Sequence, residues 1–414
     1  MERMPTTKTH RIALLFNANK IFDREVLAGV ASYLSGNRIF WDLFLEEDFR
    51  LRLSGIEQWR GHGIIADFDD PAVAAALASC RVPVVAVGGS YEDAADYPPG
   101  VPYVATDNFQ LVKLAYEHLI DSGLRKLALF SLPEAPENRW AQEREKAFRA
   151  LLRGDRMEPE VFRGQCTRAP SWDAALERQV AWLRGLPKPV GVIAVTDARA
   201  RQLMQACALA GIAVPEQVAV IGIDNDPMAR MLTRIPMSSV IQNGQEIGRA
   251  AAQLLTRMLH GAQLRDTRIL VPPAGINALA SSRHEPARHP HVMRARHYIR
   301  QFACLGIKTG QVAEYVGISR SSLESHFRQE LGHSVHDEIL RIRLDAATAI
   351  LETGDCKLAD VARKCGFTSS HYMHSVFKRE LGCSPRTYQA RLGEAAGAGF
   401  NRDTPYITSA SPPI

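Results

Sequence analysis

Short apolar runs alternate with longer amphipathic stretches over the first two thirds of the chain. Apolar strands are predicted at residues 11–16, 41–45, 63–66, 82–87, 127–130, 190–195 and 218–223. Between them, apolar residues recur at helical spacing, which predicts helices at about 23–34, 54–60, 70–80, 138–152 and 198–210. Such an alternation is typical of parallel sheets with both faces covered, so residues 1–280 are predicted to form an α/β domain.

The pattern becomes helical after residue 290 and repeats with a period of about fifty residues. Ala313 and Gly317 recur as Ala362 and Gly366, and both copies end in a Phe-basic-x-Glu-Leu-Gly sequence. The alanines are small where two helices cross, and the glycines give the backbone freedom of a sharp interhelical turn. Two copies in matching register favour helix-turn-helix motifs over a repeat that only packs. The motifs are predicted at about 309–330 and 358–380, within a helical domain at 293–393.

Two further helices complete the predicted domain, an entry helix at 295–304 and a long helix at 335–351 that joins the motifs. The polar face of the second helix in each motif is free to enter a DNA major groove. Candidates for base contacts are Arg320, Ser321, Ser322, Ser325, Thr368, Ser369, Ser370, His371 and His374. Arg320 suits a guanine edge or a phosphate equally well. Arg328 and Lys378, late in these helices, are predicted to touch phosphates, which adds affinity without base choice.

The second copy resembles the AraC-type family of bacterial transcription regulators. The resemblance is carried by Ala362, Gly366, Phe367, Tyr372, Phe377, Lys378, Gly382, Ser384, Pro385 and Tyr388. Met373 stands where the family usually has Phe, and Gln389 where Arg usually follows the aromatic residue. The resemblance implies that the linking helix holds both reading helices on one face, about one DNA turn apart, so that one chain reads two successive major-groove segments.

The charge of the chain is small but uneven. The 414 residues carry a formal net charge of +5, too little for the whole chain to bind polyanions. Residues 291–393, however, hold fifteen Lys and Arg against ten Asp and Glu, so the basic surplus coincides with the predicted reading helices. Hydrophobic residues make up 46% of the chain, which is enough for complete cores.

Several features predict a cytoplasmic protein. The seven cysteines have no regular spacing, which favours a reducing compartment and offers no zinc motif. Residues 1–10 are polar and basic, without the apolar core of a secretory signal. No apolar run reaches the roughly 18 residues of a membrane span. We therefore expect neither a metal nor a membrane partner.

Polar side chains follow nearly every predicted strand of the α/β domain. They are Asn17, Asn19, Glu46, Glu47, Asp48, Asp67, Ser90, Thr196, Asp197, Asp224 and Asn225. Ligands of parallel sheets bind outside the carboxyl ends of the strands, where a carboxylate or amide can hold two neighbouring sugar hydroxyls. Phe22, Phe68 and Trp140 are candidates to cover the sugar ring. Each polar residue alone is more often a helix cap or turn residue, but their convergence favours a cleft.

This domain also resembles the lac-repressor-type and periplasmic sugar-binding fold, which implies two α/β lobes with a ligand between them. Arg144 falls at the sugar-binding arginine of that family, Thr196 and Asp197 at its polar–Asp pair, and Asp224 at its sugar-binding aspartate. The expected effector site is Asn17, Asn19, Phe22, Glu47, Trp140, Arg144, Thr196, Asp197 and Asp224.

Four segments look like those of xylose-responsive regulators of enteric bacteria, in which a sugar-binding fold is joined to an AraC-type domain. The segments are 14–20, 64–70, 195–201 and 268–273. This resemblance implies D-xylose as the effector. We expect no cofactor. The residues by themselves leave another pentose open.

Residues 281–292 are polar and contain Pro286 and Pro290, and we expect them to form a solvated linker. The histidines in this segment could suggest a metal, but their spacing lacks helical regularity. The tail at 394–414 is rich in Ala, Gly, Ser and Pro and is expected to be disordered.

These features predict a DNA-binding transcription activator that responds to a sugar. Sugar entry would close the lobes and re-pose the C-terminal helices on operator half-sites. The expected partners are operator DNA, RNA polymerase and a second copy of the chain, with dimerisation through the α/β lobes. A repressor is the alternative, because the sign depends on where the operator lies.

Two other classes of protein are disfavoured. An enzyme acting on a sugar would need opposed carboxylates, whereas Glu46–Glu47 and Asp69–Asp70 are adjacent in sequence and point to different sides. The sequence also lacks a phosphate-binding Gly-x-x-x-x-Gly-Lys loop and a Gly-x-Ser-x-Gly elbow. A transport receptor is disfavoured by the missing export signal and by the C-terminal reading helices.

Overall fold

The computed structural model describes residues 9–45, 53–155, 157–165, 169–284, 289–352 and 356–390. The chain divides into two compact units, residues 1–286 and 287–414. No helix within the described ranges is both long enough and apolar enough to cross a membrane. The six cysteines in those ranges are free thiols.

The first unit is built on two six-stranded sheets. Its strands are β1 (His10–Leu15), β2 (Trp41–Phe44), β3 (Gly63–Asp67), β4 (Val84–Gly89), β5 (Tyr103–Thr106), β6 (Leu127–Ser131), β7 (Glu160–Arg163), β8 (Val190–Ala194), β9 (Val218–Ile223), β10 (Ser238–Ile241), β11 (Arg268–Val271) and β12 (Gly275–Asn277). The first sheet, in the order β11-β5-β4-β3-β1-β2, is parallel throughout. The second, in the order β12-β10-β9-β8-β6-β7, is parallel except for the pair β10–β12.

Helices cover both faces of each sheet. They are α1 (Ile21–Gly36), α2 (Pro71–Leu77), α3 (Asn108–Asp121), α4 (Arg139–Gly154), α5 (Trp172–Gly185), α6 (Asp197–Ala210), α7 (Pro227–Met231) and α8 (Gly244–Leu259). Successive residues of one strand enter opposite cores: Leu14 packs with residues of α1 and α8, whereas Ala13 packs with residues of α2. This burial on both faces explains why the strands read as continuous apolar runs.

All seven predicted strands are present within two residues of their predicted bounds. The predicted parallel α/β architecture is therefore confirmed. The segment 54–60, predicted as a helix candidate, contains only a 3-10 turn at Ile56–Gln58, preceded by Gly55 at φ 72°. A residue in the left-handed region cannot continue a right-handed helix, so the regular pattern ends there.

The chain passes between the two lobes three times. The first crossing leads from β5 in the first sheet to α3, which packs on the second sheet. The second leads from β10 in the second sheet to α8 in the first core, and the third leads from β11 in the first sheet to β12 in the second. The crossings therefore lie at residue 107, at 242–243 and at 272–274. α1 and α8 cross very closely, because a Cβ added at Gly248 would lie only 2.0 Å from the carbonyl oxygen of Val26.

The second unit is helical. Its elements are α9 (Pro290–Phe302), α10 (Thr309–Val316), α11 (Arg320–Leu331), α12 (Val335–Glu352), α13 (Leu358–Lys364) and α14 (Ser370–Leu381), followed by helical residues at 385–390. Both helix-turn-helix motifs, the entry helix and the long joining helix are confirmed. One apolar core surrounds the first motif and another the second, and α12 contributes to both.

Both predicted corner glycines adopt the left-handed conformation, with φ 83° at Gly317 and φ 72° at Gly366. Only the second corner is also crowded. A Cβ added at Gly366 would lie 2.7 Å from the carbonyl oxygen of Cys304, while nothing lies within 4 Å of the same position at Gly317. Gly366 is therefore required for space as well as for backbone conformation.

The linker is shorter than the predicted 281–292. Ser281 and Ser282 are fully buried in the first unit, where the Ser281 hydroxyl donates to the Val220 carbonyl at 2.7 Å. At the other end, α9 begins at Pro290 and is capped by the His289 side chain. Small polar residues occur both in linkers and as buried hydrogen-bonding residues. Ser281 and Ser282 belong to the second group, because their hydroxyls form hydrogen bonds within the second lobe.

The sequence predicted solvated histidines in this segment, but the structure shows them packed against other side chains. The ring of His289 lies 3.8 Å from that of His326 on α11, and the ring of His291 lies 6.0 Å from it. His284 is also buried. No cluster suited to a metal ion occurs among the described residues. The predicted disordered tail lies outside the described residues.

Candidate ligand cleft and nucleic-acid interface

A cavity of about 260 Å³ lies between the two lobes, where the carboxyl ends of both sheets meet. The side chains that form it come from loops directly after strands and from the first turns of the helices that follow. The cavity is lined by Asn19, Lys20, Ile21, Phe22, Asp67, Asp69, Gly89, Thr106, Trp140, Arg144, Thr196, Ala198, Asp224, Asp226 and Gln242.

The first lobe contributes carboxylates gathered around one lysine. Lys20 Nζ lies 2.9 Å from Asp67 Oδ2, and Asp69 accepts the Gly89 N–H at 3.0 Å. Burial, together with the charge of Asp67, raises the pKa of Asp69 to about 7 and that of Asp23 to about 8. Burial alone would lower the pKa of Lys20, but Asp67 and its neighbours hold it above its ordinary value.

The second lobe contributes a buried arginine. Arg144 is 3% exposed; its Nε donates to Asn108 Oδ1 at 3.0 Å and its Nη1 to the Val195 carbonyl. Its guanidinium lies 4.9 Å from the centroid of the Trp140 ring. Burial lowers the pKa of Arg144, although Asp224 and other nearby carboxylates oppose the shift.

Asp224 lies on the same side of the cavity and accepts a hydrogen bond from the Gln242 amide. Burial raises the pKa of Asp224 to about 6, against the opposing charge of Arg144. The backbone of Asp224 is at φ 125°, a conformation that residues with a side chain rarely adopt. Such local strain is concentrated at functional sites, where the surrounding structure maintains it.

Two polar atoms in the cavity wall are available to a ligand. Within the described part of the chain, the buried Thr106 hydroxyl and the buried Gln242 amide oxygen make no hydrogen bond with protein. A buried polar group without a partner is costly, so a ligand that bonds to it gains affinity. Together with the carboxylates and Arg144, these atoms suit a compact ligand with several hydroxyls, and Phe22 and Trp140 supply apolar surface.

Six of the nine predicted effector residues line this cavity: Asn19, Phe22, Trp140, Arg144, Thr196 and Asp224. Asn17 instead shapes the loop, because its side chain accepts the Asn19 N–H and its own N–H donates to Asp23. Glu47 lies outside the described residues. Phe68, predicted as a possible ring cover, packs into the cores of the first lobe instead.

Asp197 supports the cavity without lining it. The side chain is fully buried and accepts hydrogen bonds from the Ser239 hydroxyl at 2.6 Å and the Asp226 N–H at 2.7 Å. Burial raises the pKa of Asp197 to about 8, with a further contribution from Asp224. Through its bond to the Asp226 N–H, Asp197 orients the loop after β9, which carries Asp224 and Asp226.

The predicted site omitted Lys20, Asp67, Asp69, Thr106, Asp226 and Gln242, all of which line the cavity. Asp67 ends β3 and Asp69 lies two residues beyond it, so their position at the end of a strand is a usable signal. Thr106 ends β5, which was not predicted, and Gln242 lies on a crossing between lobes. For these two the sequence carried no local signal.

The candidate nucleic-acid interface lies on the second unit. All eleven predicted DNA-contacting residues are exposed: Arg320, Ser321, Ser322, Ser325, Arg328, Thr368, Ser369, Ser370, His371, His374 and Lys378. α11 begins at Arg320 and α14 at Ser370, and each is capped by the preceding serine. Three of the predicted residues already have a side-chain partner. The hydroxyls of Ser321 and Ser322 lie 3.0 and 2.8 Å from that of Ser319, and the Ser369 hydroxyl accepts the Tyr372 N–H.

A buried ion cluster underlies the first reading helix. Glu338 on α12 is fully buried and lies 3.2 Å from Arg296 of α9, 2.8 Å from Arg341 and 3.0 Å from His333 in the turn after α11. Burial would raise the pKa of Glu338, but hydrogen bonds from His333 and Arg341 hold it well below its ordinary range. Helix α9, the turn after α11 and helix α12 are thus fixed to one carboxylate, and none of these residues was predicted.

Three family models match the chain in succession. A model described as the XylR N-terminal domain matches residues 11–109, a periplasmic binding protein-like domain matches 116–281, and a helix-turn-helix domain matches 312–391. The cavity lies within the segments matched by the first two models, and both reading helices lie within the third.

Two curated proteins are similar over almost their whole length. The xylose operon regulatory protein of Escherichia coli K12 is 45% identical over 383 residues, which cover 92% of this chain and 97% of that protein. The protein of the same name from Haemophilus influenzae is 39% identical over 384 residues, covering 93% and 99%.

Solved structures agree with both. The structure titled as the xylose-binding transcription activator xylR superposes with a TM-score of 0.85 at 44% identity, covering 93% of this chain and 99% of that one. The lac repressor dimer bound to operator shares the fold, with a TM-score of 0.54 at 17% identity over 67% of this chain and 95% of that one.

Proposed function

This chain belongs to the family of xylose operon regulatory proteins, and we propose that it is a transcription activator that binds D-xylose and operator DNA. The observation that carries the proposal is the cavity between the lobes, on the same chain as two exposed reading helices. Its wall combines carboxylates, a buried arginine and, as far as the described residues extend, two polar atoms without partners, which suits a neutral polyhydroxylated ligand. The names of the E. coli and H. influenzae relatives support D-xylose among such ligands.

The first step of the proposed mechanism is closure of the lobes on the sugar. Asp67 and Asp69 belong to one lobe and Arg144 and Asp224 to the other, so a ligand held by all four favours the closed arrangement. A ligand shifts a conformational equilibrium only by its difference in affinity for the two states. Contacts from both lobes supply that difference, since they form together only when the lobes are near each other.

The second step is transmission from the second lobe to the chain that leaves it. The hydroxyl of Ser281 is bonded to Val220 on β9, and that of Ser282 to Ser238 on β10 at 2.7 Å. His118 Nε2 also lies 2.7 Å from the Ser282 hydroxyl. The exit of the first unit is thus fixed to β9 and β10, and a movement of the second lobe carries it along.

On the DNA, the two motifs of one chain read two successive major-groove segments. Arg320 and the residues early in α14 contact base edges, and Arg328 and Lys378 contact phosphates. RNA polymerase and a second copy of the chain are the further proposed partners. A dimer, formed through the α/β lobes, would place two such pairs of helices on repeated half-sites.

Operator binding with and without sugar tests the proposal. Duplexes selected by the protein from a random pool are titrated at fixed salt, because affinity for DNA depends strongly on ionic strength. D-Xylose is expected to change the operator affinity by roughly 5- to 150-fold, the usual range for coupled sites. L-Arabinose, D-ribose and D-glucose serve as competing sugars. An unchanged affinity at every salt concentration would rule out sugar gating, and an equal response to all sugars would rule out xylose as the specific effector.

Light scattering tests the proposed dimer. The chain has a mass of 45.8 kDa, so the complex is expected to contain about twice that mass of protein in addition to the mass of the operator duplex. A single chain per duplex over the whole concentration range would contradict the dimer and leave the sugar-binding proposal intact.

A further inference from the structure

A second cavity, outside the ligand cleft, lies at the carboxyl end of β6 and β7 in the second lobe. It has a volume of about 140 Å³. Its walls come from β6, β7, α5 and α6, and its described lining shares no residue with the cleft. The rings of Phe130 and Phe162, whose centroids are 5.7 Å apart, form its apolar wall.

One buried donor in this cavity lacks a partner. Gln179 is only 2% exposed, yet within the described part of the chain its Nε2 makes no hydrogen bond. Burying an amide donor without an acceptor destabilises a fold by about 1–3 kcal/mol. An acceptor atom in the cavity would therefore find a donor that is already in place and already desolvated.

The other polar groups around the cavity are donors as well. Arg178, which precedes Gln179 on α5, donates to Gln165 Oε1 at 2.5 Å. Arg199 Nη1 donates to Gln202 Oε1 at 2.8 Å. The same nitrogen lies close to Gly164 in the cavity wall, since a Cβ added at that glycine would be 3.7 Å from it. Since both amide oxygens are occupied, the amide NH2 groups are what the two glutamines offer to a ligand.

The charge around the cavity is positive. None of the lining residues in the described ranges is acidic. Arg163 is the one lining arginine with acidic partners, lying 2.7 Å from Glu145 and 2.9 Å from Glu134. Arg178 donates to a neutral amide and, within the described ranges, forms no salt bridge, so no carboxylate neutralises its charge.

We propose that this cavity binds a small oxyanion, such as phosphate or a short carboxylate, at Gln179 and Arg178. Its volume admits the anion group itself but little more, and several converging donors match the acceptor oxygens of an oxyanion. The first turns of α6 separate the anion from the sugar, because Thr196 and Ala198 line the cleft and Gln202 lines this cavity. The proposal does not depend on the identity of the sugar.

Calorimetric titration of the full chain with sodium phosphate, sulfate and acetate, at ionic strength matched with chloride, tests it. At least one of the three is expected to bind with a dissociation constant of roughly 1 mM or tighter. Arg178→Met and Gln179→Leu should each weaken that binding at least about tenfold, the loss of one charge-assisted or buried hydrogen bond. Arg184→Met, an exposed change on the same helix, is the matched control and should leave it unaltered.

Each other outcome overturns the proposal. No detectable binding of any of the three anions means that the cavity is not an oxyanion site. Equal weakening by Arg178→Met and Arg184→Met means that the anion is held only by general surface charge. Because Gln179 is buried, D-xylose affinity is measured in each variant, and a retained affinity shows that the second lobe is folded. If Gln179→Leu does not fold, Arg178→Met tests the proposal alone, because Arg178 is exposed.

Discussion

The two units of this protein each contain a cluster of buried charge, and the clusters have opposite electrostatics. In the cleft, the effect of burial on the carboxylates outweighs that of their hydrogen-bond and charge partners. The pKa of Asp69 is therefore raised to about 7 and that of Asp224 to about 6. In the helical unit, partners outweigh burial, and the pKa of Glu338 is held well below its ordinary range. The first cluster faces a cavity, whereas the second is enclosed by its own arginines and histidine.

This difference separates a site that awaits a ligand from a structural joint. The pKa values of Asp69 and Asp224 stay raised although both carboxylates accept hydrogen bonds from the protein, and sugar hydroxyls would add further donors. Glu338 has its donors already, so it fixes α9, α12 and the turn after α11 to one another and offers nothing to a ligand. Disrupting the first cluster should therefore affect binding, and disrupting the second should affect stability.

The largest effect is expected from Glu338→Gln, which removes the charge that two arginines and a histidine surround. Breaking a buried ion pair from one side leaves uncompensated charge and costs about 3–5 kcal/mol of unfolding free energy. Hydrogen exchange of the α12 amides in the full chain measures the change. The exposed pair Arg379–Glu380 provides the control, and Glu380→Gln should change stability by less than about 1 kcal/mol.

D-Xylose affinity should stay the same in Glu338→Gln. If that variant reduces the free energy of sugar binding as much as it reduces the protection of the α12 amides against exchange, the two clusters do not have separate roles.

The next largest effect is expected from Arg144→Met. The buried guanidinium holds Asn108 and the Val195 carbonyl and balances the cleft carboxylates, so its loss should weaken D-xylose binding about 100-fold, or roughly 3 kcal/mol. Calorimetry of the full chain provides the measurement. Arg149→Met on the same helix removes one of the two arginine partners of the buried Glu145, which keeps Arg163, and should change the affinity less than about twofold.

Operator binding without sugar should be unchanged in Arg144→Met. Loss of that binding would mean global damage to the chain, and near-normal xylose affinity would remove Arg144 from the site.

A smaller effect is expected on the DNA side, where Arg320 and Arg328 lie on one helix at different distances from its start. Arg320→Ala should cost about 1–3 kcal/mol on the operator and reduce discrimination at one base pair. Arg328→Ala should weaken operator and random DNA about equally and reduce the salt dependence by about one unit. Fluorescence anisotropy over a salt series measures both. Identical profiles for the two variants would contradict the assignment of base and phosphate contacts.

The smallest effect is expected from pH. A sugar hydroxyl donates best to an ionised carboxylate, and the pKa values of Asp69 and Asp224 are raised, so binding should release protons. Xylose affinity should then rise about 3- to 10-fold between pH 5.5 and 8. Calorimetry in two buffers of different ionisation enthalpy measures the proton release, and Asp69→Asn should reduce it. Proton uptake on binding would contradict this account of the cleft.

The stability of the sugar-free first unit should show the opposite slope. Folded pKa values that exceed the unfolded ones favour the protonated native state. This stabilising contribution is complete below about pH 4 and is lost as pH rises through about 6 for Asp224 and about 7 for Asp69. Urea unfolding at several pH values checks the sign.

The fold was largely accessible from the sequence because its signals are local. β1 and β9 are buried on both faces and therefore read as apolar runs, and the Ala-x-x-x-Gly corners mark turns that the backbone then adopts. α8 was not predicted, although its buried Ile247, Ala251, Leu254 and Leu255 follow helical spacing, so the pattern was visible. β7 was less accessible, because its sequence Glu-Val-Phe-Arg has only two apolar residues.

The cleft was only partly accessible because it joins distant positions. Lys20 pairs with Asp67 across 47 residues, and Gln242, which lies on a crossing between the lobes, bonds to Asp224 across 18 residues. Position after a strand indicates which residues lie near the cleft but not which face it. Asp197 and Asn17 illustrate this limit, since both follow strands and both use their polar groups to hold the protein itself.

The central claim is that the cleft and the reading helices are thermodynamically coupled. It is tested most directly by calorimetric titration of D-xylose into the full chain, alone and bound to its operator at the same salt concentration. Coupling is reciprocal, so sugar affinity should increase on the operator by the same factor, roughly 5- to 150-fold, by which xylose increases DNA affinity. Equal xylose affinities in the two titrations would contradict the account.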